Sequence, residues 1–392
     1  MATLFLIIIY LAFISLGLPD SVLGSVWPAM YRDCGAPFSG AGVISMVLSF
    51  GTVISSLLSG RMLRRFGTGR VAAVSVLLTA AALLGFSVSH SFVWLLVCAV
   101  PLGLGAGSID AGLNDYVAVH FQASHMNWLH GCWGVGATLG PVIASACMDW
   151  GYSWRRGYLV ISIIQFCLAV VVLLSLPLWD KVAKESGASA PVEEISPKAG
   201  KRNLLALPGL PYVLAAFVLY IAMECVTGVW GGSFLVEVKG LETAEAARMV
   251  SLFYAGITIG RFLSGFIALR IQDKLIIRIG EGICLAGVLL MLLPLPSVFF
   301  AAALLLLGLG CAPIFPAMLH LTPERFGKEK SRDIMGFQMA FSYLGSTFAP
   351  PLFGLLASRT SMMLYPGFLA AAAALLALTT ALTDRKIKPA AN

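Results

Sequence analysis

A handful of ionisable side chains interrupt the long apolar runs of this 392-residue sequence, and they carry its potential chemistry. Asp20 follows a Gly17-Leu18-Pro19 break, and Glu224 stands in the middle of another apolar run. Asp110 is followed four residues later by Asn114, a spacing that puts both on one helix face. Asn127, His130 and Trp133 recur every three residues along a further stripe. Carboxyl groups in low dielectric suit proton carriage, and a histidine can relay a proton or bond a hydroxyl. Amides and carboxylates bind hydroxyl groups, and the rings of Trp27, Trp133, Trp230, Phe341 and Tyr343 could stack on the C–H faces of a sugar, with Gln338 adding an amide. Each has a plainer alternative. Asp20 could cap a broken helix, and His130 could bond a backbone carbonyl. Trp27 and Trp230 could belong to an interfacial belt, and Gln338 could tie two helices together. Arg261 is the one basic residue well inside an apolar run; it either meets an anionic solute or pairs with Glu224 or Glu281, because a lone buried cation is costly.

The elements that position these residues follow from composition. Apolar residues make up 59% and charged residues 11%, with a mean hydropathy of +0.90, whereas soluble chains run at about 45–50% and 25%. That balance excludes a soluble enzyme domain, a disordered chain, a coiled coil and a nucleic-acid-binding domain. Spans of about 20 apolar residues cross a bilayer, and twelve are expected, at 4–30, 38–60, 70–89, 92–118, 127–148, 157–179, 211–233, 246–269, 275–297, 298–320, 335–357 and 362–382. The expected fold class is therefore an all-α membrane protein. Nineteen of the 26 Lys and Arg residues fall on one side of these spans, so the net charge of +7 reads as a topology signal with both termini cytoplasmic. The eight cysteines form no C-x-x-C pair and read as small packing residues, not metal ligands. No nucleotide-binding, zinc-protease or nucleophile-elbow pattern occurs, so no cofactor is expected and an enzyme has no support.

Two halves repeat. Gly51 and Leu58-Ser59-Gly60 recur 205 residues later as Gly256 and Leu263-Ser264-Gly265; Leu102-Gly103-Leu104-Gly105 recurs as Leu307-Gly308-Leu309-Gly310, and Leu139-Gly140 as Leu344-Gly345. Asp20-x-Val22-x-Gly24 matches Glu224-x-Val226-x-Gly228 at an offset of 204, and Gln338 is the counterpart of Trp133. The expected division is a six-helix bundle over 1–180, a polar cytoplasmic linker over 181–206, a second six-helix bundle over 207–385 and a tail over 386–392. Parallel six-helix repeats describe a secondary transporter whose halves rock about a central site.

At this point the sequence resembles the major facilitator superfamily over its whole length. The loop Gly60-Arg61-Met62-Leu63-Arg64-Arg65-Phe66-Gly67-Thr68-Gly69-Arg70 is similar to that superfamily's cytoplasmic gate motif, here carried by Gly60, Arg64, Arg65, Gly67 and Arg70, with Arg64 where the pattern has an Asp. Asp20, Asp110-x-x-x-Asn114 and Asn127-x-x-His130 followed by Gly136-Ala137 resemble the fucose–galactose–glucose:cation symporter branch. The stretch from Leu129 to Ala137 is similar to sodium-dependent glucose transporter-like relatives. The resemblance implies a monomeric carrier in the plasma (inner) membrane. It implies proton coupling (alternatively sodium) through Asp20 and Asp110, extended by the repeat to Glu224. It implies a small polyhydroxylated solute, a monosaccharide, bound among the polar and aromatic residues named above. The rival expectations are an efflux antiporter of the same fold and uptake of an acidic solute held by Arg261.

Overall fold

The computed structural model describes residues 2–120, 123–179, 207–268 and 270–387. The polar linker expected over 181–206 lies outside the described residues. Span one is two helices, α1 (Ala2–Asp20) and α2 (Val22–Asp33), broken at Ser21. Pro19 supplies the physical reason, since it lacks an N–H and crowds the preceding turn. The remaining N-terminal helices are α3 (Gly40–Phe66), α4 (Thr68–Ser87), α5 (Phe92–His120), α6 (Ala123–Asp149) and α7 (Trp154–Leu174). The C-terminal half holds α8 (Leu210–Glu237), α9 (Thr243–Ile267), α10 (Asp273–Leu292), α11 (Ser297–His320), the short α12 (Thr322–Phe326), α13 (Lys328–Arg359) and α14 (Tyr365–Lys386).

Eleven helical stretches among the described residues are long and apolar enough to cross a membrane. The twelfth spanning helix is α13, whose 32 residues give it about 48 Å of length; its mid-helix polar residues Gln338, Ser342 and Thr347 are buried inside the protein. Leu57, Leu174, Phe266 and Leu352 project outward, a pattern stable only against lipid.

The repeated glycines have a packing cause. A Cβ on Gly103 of α5 would overlap the carbonyl oxygen of Leu48 in α3, and one on Gly308 of α11 would overlap that of Phe253 in α9. The same backbone-to-backbone approach is thus made in each half, as expected where helices associate without a hydrophobic driving force.

The halves meet at the end of the molecule remote from both chain termini. There α2 crosses α8 at Gly24 and Gly228, and Gly42 of α3 packs on Pro350 and Pro351 of α13. Two ion pairs join the halves at that end: Arg32 with Glu237 at 2.8 Å, and Arg248 with Asp149. Toward the termini α6 and α9 stay packed as far as Gly131 against Phe262, and beyond them each half has contacts of its own. Phe5, Ile9, Phe13, Leu113, Val117, Val172 and Trp179 form a core private to the N-terminal half, and the ion pairs described at the termini end stay within the C-terminal half. The result is a gap sealed at one end and open at the other.

Candidate functional site

The helix break puts Asp20 at the deep, sealed end of this gap, with its side chain exposed to it. Its Oδ2 accepts a hydrogen bond of 2.8 Å from Nε1 of Trp133 on α6. Asp110 on α5 lies within electrostatic range of Asp20. Asn114, one turn on, donates from Nδ2 to Asp110 Oδ1 at 2.9 Å, so the spacing expected to align them does so. The remaining Asn114 Oδ1 is buried without a hydrogen-bond partner among the described residues. Tyr343 of α13 comes across from the other half, beside Ser56 of α3 and within electrostatic range of Asp110.

Trp133 is the hinge of the arrangement. Its N–H edge holds Asp20, and its ring face is covered by the Arg261 guanidinium of α9, 4.9 Å from the ring centroid. That is a cation–π contact between the two halves. The expected pairing of Arg261 with Glu224 or Glu281 is therefore corrected. No carboxylate of the described residues comes within 4.0 Å of it, and Glu281 is taken by Arg278 at 3.0 Å and Thr380 at 2.6 Å. His130, one turn before Trp133, sits edge-on to Phe13 and within electrostatic range of Arg261.

Glu224 is half-buried on α8, one turn from the Tyr220 hydroxyl and near enough to influence it. Asp20 and Glu224 also share neighbours, both lying within electrostatic range of Cys225 and of the Tyr254 hydroxyl of α9. Tyr220 and Tyr254 are the site residues that reading the sequence missed. The available signal was spacing, because Tyr254, Thr258 and Arg261 step by four and three along one face of α9. Thr258 meets the other half too, 3.4 Å from the Thr138 hydroxyl.

Several expected contributors stand elsewhere. Trp27 is fully buried and donates to Phe38 O at 2.8 Å. Trp230 is fully buried and donates to Pro350 O at 2.9 Å, forming part of the seal. Their indole N–H groups are spent on backbone carbonyls, so neither lines the gap. Gln338 is fully buried and exchanges hydrogen bonds with Thr322, the plainer of its two expected roles. Phe341 packs against the apolar core. The side chain of Asn127 lies outside the described residues. In the loop after α3, Gly67 has φ +78°, which favours glycine at the junction of α3 and α4. Gly60, Arg64, Arg65 and Arg70 are exposed at the termini end, Arg65 covering the Phe66 ring.

The Major Facilitator Superfamily pattern matches residues 9–350, and again 213–391. The chain belongs to that superfamily. Its fold is accordingly two pseudo-symmetric six-helix bundles, and it is a multi-pass membrane transporter of small molecules, not an enzyme. It is 23% identical to the Saccharomyces cerevisiae "Bypass of stop codon protein 6", over 90% of this chain and 77% of that one. It is 24% identical to the Bacillus subtilis "Glucose/mannose transporter GlcP", over 80% and 78%. In three dimensions it is similar to a bacterial homologue of the human lysosomal transporter Spinster, solved inward-facing and unoccupied. The TM-score is 0.75, with 98% of both chains covered at 13% identity. That likeness concerns the superfamily fold alone.

Proposed function

We propose that this transporter moves a small polyhydroxylated solute of monosaccharide size by alternating access, coupled to a proton gradient, as a monomer in the plasma (inner) membrane with both termini cytoplasmic. With that orientation the gap opens inward. The observation that carries the reading is Asp20: a carboxylate at a helix break, exposed to the gap, held on one edge by Trp133 and facing a second acid, Asp110. Ionised together and cut off from water, the two carboxylates would repel each other, and closure of the gap around them would be opposed. A proton on one of them relieves that opposition. Solute hydroxyls would then be shared among Asp110, Asn114 and Tyr343, with the Trp133 ring as a stacking face and Glu224 as the corresponding acid of the second half. The carbohydrate character of the solute is supported by this mixture of carboxylate, amide and aromatic groups. It is supported also by the name of the Bacillus subtilis relative, whose solutes are glucose and mannose.

The test is uptake into proteoliposomes. Asp20→Asn keeps an acceptor for Trp133 but cannot carry a proton. It should lose accumulation driven by a pH gradient while retaining counterflow of solute. Full accumulation by the variant removes Asp20 from coupling, and accumulation that follows a sodium gradient instead replaces the proton.

A further inference from the structure

Arg261 is a guanidinium placed at mid-helix in a membrane-spanning segment, half-buried. Ions in such positions are costly and are ordinarily matched by a counter-charge. Arg278 and Arg325, half-buried in the same half, follow that rule, both reaching Asp384. Arg261 instead rests on the face of Trp133, with no carboxylate of the described residues within 4.0 Å. It lies within electrostatic range of His130 on α6, Tyr220 on α8 and Cys311 on α11, so groups from both halves surround it. Asp20 is on the same indole, but at its N–H edge and not against the guanidinium.

We infer that Arg261 receives a carboxylate of the solute, and that the class of solute favoured at this site is a sugar acid, a hydroxylated ring or chain bearing one carboxylate. The inference rests on the reading of the gap as a site for a polyhydroxylated solute, and it names the class within it. Ligand and site are complementary on both sides. The guanidinium offers a planar fork of donors that matches a carboxylate, and the group of Asp110, Asn114 and Tyr343 offers partners for hydroxyls. Trp133 carries the guanidinium on its ring and Asp20 on its N–H edge, so the cation and the acids are held around one side chain. An anionic solute also gives the acids a reason to be there. Asp20, Asp110 and Glu224, when ionised, repel it, so protons taken up by the acids and the solute anion enter together.

The experiment uses the full-length protein in proteoliposomes under an inward proton gradient. The probes are a panel of hexoses, each matched with its uronate and its aldonate, scored by mutual competition in counterflow. For the wild type, an acid should compete at least tenfold better than the aldose of the same configuration. Arg261→Gln should erase that preference, bringing each acid down to the level of its own aldose in the same variant, and Arg261→Lys should retain part of it. An aldose that competes as well as its acids in the wild type overturns the inference, with no variant needed, and leaves the polyol reading standing. An unchanged acid-to-aldose ratio in Arg261→Gln overturns it equally. A wild type that exchanges no member of the panel removes both readings.

Discussion

Two groups of charged side chains in this protein are built from the same residue types and satisfied in opposite ways. At the termini end of the C-terminal half, Arg278 donates to Glu281 at 3.0 Å, to Thr380 at 2.8 Å and to Asp384 at 2.8 Å, while Arg325 takes the other Asp384 oxygen at 2.7 Å. The side chains of Glu281 and Arg325 are only 4% and 6% exposed, and each meets an opposite charge. In the central gap, three carboxyl groups and one guanidinium make no direct ion pair among the described residues, and they reach one another only through Trp133 or across space. A charge that holds helices together is surrounded by partners. A charge that must meet a moving solute or proton keeps some of its bonding capacity open.

The contrast predicts opposite responses to neutralisation. Asp110→Asn preserves shape and the contact with Asn114 but removes a charge whose satisfaction is incomplete. Gradient-driven accumulation should be abolished while the melting temperature in detergent stays level or rises. Asp384→Asn removes the carboxylate shared by two arginines. It should cost about 1–3 kcal/mol of stability, less than the loss of a fully buried pair because Asp384 is partly exposed. Transport per folded molecule should persist with its coupling ratio unchanged. The two assays, melting and accumulation, would be exchanged between the sites if the contrast were wrong.

A smaller effect separates the two faces of Trp133. Trp133→Phe keeps a ring under Arg261 but deletes the N–H that holds Asp20. A hydrogen bond to a charged group contributes about 1.5 kcal/mol at the low end, so the solute concentration for half-maximal uptake should rise about tenfold. Trp133→Leu removes both contacts and should lower uptake further. Equal effects of the two substitutions would show that the cation–π contact contributes nothing.

Much of the architecture was legible because its causes are local. A span is a continuous apolar run, and the repeat shows as glycines because Gly103 and Gly308 each admit a facing backbone. Asp20, Asp110 and Asn114 were legible as site residues because a polar group within an apolar run is costly to insert and persists where it has a task. The fate of the aromatics was not. Trp27 and Trp230 differ from Trp133 in what their N–H groups meet: the carbonyls of Phe38 and Pro350 against the carboxylate of Asp20. The partners of Trp230 and Trp133 lie 120 and 113 residues away, and that of Trp27 in the turn from α2 to α3. All three are set by packing and not by the apolar run that holds the indole. The partner of Arg278 was hidden for the same reason, since Asp384 lies 106 residues away. Arg261 invited pairing with an acid because the cost of an isolated cation is visible in sequence, whereas a tryptophan on another helix waiting to cover it is not.

The seal supplies the mildest test of the same distinction. Arg32 and Glu237 join the two halves at 2.8 Å but are 59% and 30% exposed, so water already solvates much of both charges. Such a pair is worth at most about 1 kcal/mol, and the apolar crossing of α2 and α8 at Gly24 and Gly228 must carry most of the closure. Arg32→Ala should therefore change uptake by no more than about fivefold, and the change should shrink further at high salt as screening weakens the native pair. Gly24→Val, which drives a side chain into the backbone of α8, should instead prevent the sealed state and stop net transport. Should Arg32→Ala prove the more damaging of the two, ion pairing and not helix crossing would be what closes the gap.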